Sequence, residues 1–63
     1  MTSLQRAAVY DAERDHSRDR APRVYLTSRG VWRFSVEYPD YWTPEDASEY
    51  AQAYADRYDA LCE

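Results

Sequence analysis

Residues 23 to 38 read RVYLTSRGVWRFSVEY, two runs of β-branched and aromatic residues either side of the tripeptide Ser28-Arg29-Gly30, which is the composition of a β-hairpin. The side-chain pattern selects the turn. A two-residue Arg29-Gly30 loop would set Leu26 opposite Arg33 and Val24 opposite Ser35, mixing apolar and polar residues on each face. A three-residue loop with Gly30 in the left-handed conformation sets Leu26 opposite Trp32 and Val24 opposite Phe34. That register gathers Val24, Leu26, Trp32, Phe34 and Val36 on one apolar face. The other face carries Tyr25, Thr27, Val31, Arg33, Ser35 and Glu37, with Tyr25 opposite Arg33 in position for a cation–π contact.

Downstream, after the loop Pro39-Asp40-Tyr41-Trp42, a helix is predicted over 44 to 62. Thr43 is its N-cap, Pro44 its first helical residue and Asp46 part of a capping box, while Trp42 is placed to staple onto Ala47. At 100° per residue, Ala47, Tyr50, Ala51, Tyr54, Tyr58, Leu61 and Cys62 share one side, expected to face the hairpin. Upstream, residues 3 to 19 suit a helix capped by Ser3 and stopped at Ala21-Pro22. Its apolar residues Leu4, Ala8 and Ala12 share a face with Asp11 and Asp15, so a frayed or partner-stabilised helix is expected, helped by Asp11/Arg14 and Asp15/Arg18 pairs. The fold class is therefore α+β, one domain over 1–63 in the order α-β-β-α: a weak N-terminal helix within 1–21, a hairpin over 23–38, and a helix over 44–62 on which the hairpin packs.

A chain of 63 residues buries only about 60% of the surface its unfolded form exposes, which leaves room for one small core and disfavours a large enzyme cleft. Trp32 is the expected energetic centre of that core. Its single cysteine, Cys62, allows no internal disulfide and reads as a small packing residue. No apolar run approaches membrane-spanning length, and the N-terminus has no apolar signal core, so a cytoplasmic protein without membrane attachment is expected. The thin core and the loop aromatics Tyr38, Tyr41 and Trp42 also point to a homodimer.

Constellations for chemistry are incomplete. The alternation Asp11, Glu13, Asp15, Ser17, Asp19 imitates the oxygen positions of a calcium loop, but His16 stands where the turn glycine belongs and Pro22 where a bidentate glutamate is needed. The single histidine, His16, has no second ligand or nucleophile beside it, so neither a metal nor a catalytic triad is expected, and no cofactor. The expectation is a protein that is not an enzyme.

Charge is distributed unevenly. Net charge is −4, made of +3 over residues 1–36 and −7 over residues 37–63. On the predicted second helix, Glu45, Glu49, Asp56, Asp59 and Glu63 fall within about 80°, opposite the tyrosine stripe. A solvated helix face is the plain explanation of such acids, but that kind of face mixes signs. Here Glu45/Glu49 and Asp59/Glu63 are like-charge i,i+4 pairs, and Asp59 and Glu63 oppose the helix dipole. A helix carrying these costs reads as an anionic surface for a basic partner, with Asp46, Asp40, Tyr41 and Trp42 adjoining it. The alternative surface is the hairpin, whose Arg23, Arg29 and Arg33 interleave with Tyr25 and Thr27 and could lie against DNA.

Two resemblances accompany these surfaces. GVWRFSVEY followed by TPEDASEY resembles the hairpin-then-helix plan of phage integrase arm-binding domains over roughly residues 23 to 60, which implies a small DNA-binding regulator. In size, charge and layout the whole chain resembles small acidic phage-encoded inhibitors of host nucleic-acid machinery, the anti-CRISPR and anti-restriction proteins that imitate DNA. That resemblance implies no catalysis, no direct nucleic-acid binding and a host-protein target whose basic groove normally holds phosphates. It assigns no role to any individual residue.

Overall fold

Gly30 turns the chain back with φ 79°, and the strands on either side pair antiparallel with Val24 opposite Phe34, Tyr25 opposite Arg33 and Leu26 opposite Trp32. These strands belong to a computed structural model that describes residues 1–62. It contains α1 (Ser3–Ser17), β1 (Val24–Leu26), β2 (Trp32–Phe34) and α2 (Pro44–Cys62), the α-β-β-α order expected, with the hairpin packed on the C-terminal helix. The three-residue loop is closed by Gly30 N–H donating to the Thr27 carbonyl and Thr27 N–H donating to the Val31 carbonyl, each over 2.9 Å. Beyond the ladder, Ser35 N–H reaches the Arg23 carbonyl over 2.7 Å.

α2 starts where its caps dictate. The Asp46 N–H donates to Thr43 Oγ1 over 3.1 Å and the Thr43 N–H donates to Asp46 Oδ2 over 3.2 Å, so the box is reciprocal. Trp42, just ahead of it, packs its ring on Tyr50, centroids 5.0 Å apart.

α1 departs from expectation in three ways. Its N-cap is Thr2, one residue before Ser3, because Thr2 makes its own reciprocal box with Gln5. It ends at Ser17, ahead of Pro22, because Asp19 enters the left-handed region at φ 58° and the Arg20 N–H closes onto the Asp15 carbonyl over 2.9 Å. And it is not frayed: α1 against α2 is the principal interface of the molecule. Ala8 and Ala12, both fully buried, let α1 approach Ala51 and the tyrosines closely. Contacts run Thr2 to Glu49, Asp11 to Tyr50 and Asp15 to Tyr54, so the two helices lie side by side in the same direction and the hairpin returns the chain between them.

This pairing redistributes the core. Tyr54 is 0% exposed and central, whereas Trp32 is partly buried and packs against the core from outside, so the most buried ring is on α2 and not at Trp32. The inner side of α2 is shared between α1 and β1, and the hairpin's apolar face is covered only in part. Val24 is buried, but Leu26 (56% exposed) and Val36 (48%) extend beyond the helix. Cys62 is exposed at the end of α2, past the reach of α1, and is not a packing residue. No helix among the described residues is long and apolar enough to cross a membrane.

Candidate interaction surface

Between α1 and α2 lies a polar network that joins the two halves of the sequence. The Tyr50 hydroxyl donates to Asp11 Oδ2 in a short hydrogen bond. The Tyr54 hydroxyl donates to Asp15 Oδ2 over 2.6 Å and accepts from the Arg23 backbone N–H over 3.0 Å. Arg23 Nε donates to Asp15 Oδ2 over 2.9 Å, and its guanidinium lies 3.8 Å from Asp11, which also pairs with Arg14 over 3.1 Å. Asp15 is buried, so its carboxylate is tolerable only with these partners. Asp15 therefore pairs with Arg23 and not with the expected Arg18, because Arg23 is brought back over α1 by the turn at Asp19 to Pro22.

The network holds protons firmly. Burial pushes the Tyr50 phenol far above its ordinary value, with the hydrogen bond to Asp11 adding to the effect, and burial and Asp15 do the same for Tyr54. Burial works against the Arg23 charge, but the Asp15 and Asp11 carboxylates outweigh it and hold the guanidinium above its usual range. Near neutral pH both phenols are thus donors and not acids, and the network ties α1 to α2 and to the start of the hairpin. Sequence reading missed it, although a signal was present: acids at 11 and 15 and tyrosines at 50 and 54 share one i,i+4 spacing.

The acidic residues divide by where α2 places them. Glu45, Asp56 and Asp59 are exposed, and none forms an ion pair among the described residues. Asp56 accepts from Gln52 Nε2 over 3.1 Å within the helix. Glu49 sits at the edge of α1 and accepts from Thr2 Oγ1 over 2.8 Å, while Asp46 is engaged in the cap. Asp40 is exposed in the loop, Tyr41 is 82% exposed beside it, and Trp42 is held by Tyr38 and Tyr50. Glu63 lies outside the described residues.

Arginines divide in the complementary way. Arg14, Arg23 and Arg57 are bound to Asp11, Asp15 and Glu13, the Arg57 pair over 3.0 Å at an exposed position. Arg23 is thereby withdrawn from the outward hairpin face, leaving Arg29 and Arg33 exposed there. Tyr25 and Arg33 face each other across the ladder, but the cation–π contact among the described residues is Arg14 over Tyr10, at 5.7 Å. Nor do the alternating acids of α1 gather: no group of three His, Cys, Asp or Glu among the described residues is placed to hold a metal. Compared with protein families, with curated proteins and with solved structures, the chain matches none of them.

Proposed function

We propose that this is a non-enzymatic, protein-binding inhibitor that lays the outward face of α2 on a basic nucleic-acid-binding groove of a host protein, after the manner of the phage anti-CRISPR and anti-restriction proteins it resembles. One observation carries the reading: Glu45, Asp56 and Asp59 stand exposed on α2 without an ion pair among the described residues, while Arg57, the base of that helix, is taken up by Glu13 of α1. Asp56 and Asp59, three residues apart, lie about 4.5 Å apart along the helix axis, and Glu45 falls three turns earlier on the same side. The encounter, in a host cytoplasm, is fast at low salt and weakens as salt rises.

The test is capture of basic nucleic-acid-binding proteins from a bacterial lysate by the tagged protein, with and without added DNA as competitor. Capture that DNA displaces, and that Glu45→Arg/Asp56→Arg abolishes without changing the circular dichroism spectrum, supports the reading. These positions are chosen because neither makes a hydrogen bond or ion pair to another element among the described residues, whereas Glu49 accepts from Thr2. If the variant captures its partner as well as the parent does, the reading is wrong. Tight binding of DNA by the parent would transfer the function to Arg29 and Arg33 on the hairpin.

A further inference from the structure

Leu26 and Trp32 form a cross-strand pair that overhangs the outer side of α2, and below them opens a cleft of about 360 Å³ between hairpin and helix. Its walls combine the rings of Tyr25, Trp32 and Tyr58 with the carboxylates of Asp56 and Asp59, and no cationic side chain lines it. The Asp59 carboxylate has no hydrogen bond or ion pair among the described residues, and Asp56 receives only Gln52. We infer that this cleft receives an arginine side chain of the partner protein, its stem along Leu26 and Trp32 and its guanidinium against Asp56 and Asp59. The inference rests on the acidic-face reading above and names the group that the face recognises.

The chemistry favours this occupant over the others. A purely apolar segment would cover the two carboxylates without pairing them, at a desolvation cost. A second copy brings the same net charge of −4 and repels at long range. Lysine satisfies the charge, but its ammonium is compact and strongly hydrated. Arginine is planar and weakly hydrated, so it stacks on an aromatic ring while donating two parallel hydrogen bonds to a carboxylate.

Two octapeptides of equal charge, alternating Arg-Ala and Lys-Ala, distinguish the possibilities in calorimetric titrations at low salt, with the Trp32 indole N–H resonance followed by NMR. The expected result is a preference for the arginine peptide of about two- to fivefold, supplied by the bidentate carboxylate pairing that lysine cannot make, accompanied by movement of the Trp32 resonance. Asp56→Asn/Asp59→Asn should bring the arginine peptide down to the level of the lysine peptide. Asp40→Asn/Glu45→Gln, which removes two exposed charges near the start of the helix, should weaken both peptides alike and keep the preference. Equal binding of the two peptides by the parent overturns the arginine cleft and leaves the acidic-face reading standing; failure of both peptides to bind overturns both. A dimer that takes the arginine peptide only on dissociation also overturns the assignment, because the cleft then belongs to a second copy.

Discussion

The hydroxyl of Tyr54 donates to Asp15 Oδ2 over 2.6 Å, across 39 residues of sequence, and is a buried link between two helices that are also joined at Asp11–Tyr50, Glu13–Arg57 and Thr2–Glu49. Alanine faces slide easily; a buried carboxylate does not. Ala8, Ala12 and Ala51 allow the close approach, and at this offset Asp15 receives both the Tyr54 phenol and Arg23 Nε. A second link repeats the geometry one turn away at Asp11 and Tyr50, also 39 residues apart.

Breaking this network should therefore destabilise out of proportion to its size. Asp15→Ala leaves the Tyr54 hydroxyl and Arg23 without their acceptor and should cost about 2 to 4 kcal/mol, below the usual value for a severed buried pair because Arg23 can turn toward water. Glu13→Gln, which severs a pair whose side chains are 47% and 42% exposed, should cost less than about 1 kcal/mol. Urea midpoints of the two variants decide the matter, and equal midpoints would show that Asp15 is not the stronger link.

Packing makes a parallel prediction for the rings. Tyr54→Ala should cost about 3 to 5 kcal/mol, comparable to the whole stability of so small a domain, and leave little folded protein. Trp32→Ala, at a half-buried position, should be measurably milder. Thermal melts that rank Trp32 above Tyr54 would put the core back under the hairpin.

The features legible in the sequence are those with local signals. Gly30 after Ser28-Arg29 selected the loop and hence the pairing of Val24 with Phe34, and Thr43, Pro44 and Asp46 marked the start of α2 within the residues they cap. What was not legible depends on partners far along the chain. Asp11 and Asp15 look like interruptions of an apolar face until Tyr50, Tyr54 and Arg23 are brought to them, and the overhang of Leu26 follows from α1 occupying space the hairpin was expected to fill. The outward acids were legible individually. That Glu49 leans on Thr2 while Glu45 and Asp56 do not is a consequence of the same helix pairing.

Alkaline pH offers a separate check. Tyr50 and Tyr54 have pKa values raised from an ordinary value of 10.0, so above about pH 10 the unfolded chain loses protons that the folded chain keeps. Their contribution is fully present below that pH and falls as pH rises through the window above it, approaching ~2.7 kcal/mol per pH unit for two phenols. Unfolding and phenolate absorbance should then rise together, and Tyr50→Phe/Tyr54→Phe should flatten the pH dependence. Ionisation of both phenols with the far-ultraviolet spectrum unchanged would show that neither is held as described.

The exposed face of α2 predicts a gain from a substitution that should harm function. Asp59 lies in the last turn of a helix whose final residues include no base, where a negative charge opposes the dipole, and it stands three residues from Asp56. Asp59→Lys reverses both terms and should stabilise by about 0.5 to 1 kcal/mol, or raise the melting temperature by about 2 to 8 °C in a domain of this size. Added salt should stabilise the parent more than the variant, since it screens a repulsion that only the parent carries. The same variant should lose the arginine-peptide preference, because it places an ammonium where the guanidinium is to be received. A protein that gains stability and loses binding together is one whose acids are kept for a partner. A variant no more stable than the parent would mean that the acidic face costs the fold nothing, and would leave an ordinary solvated helix as the sufficient account of it.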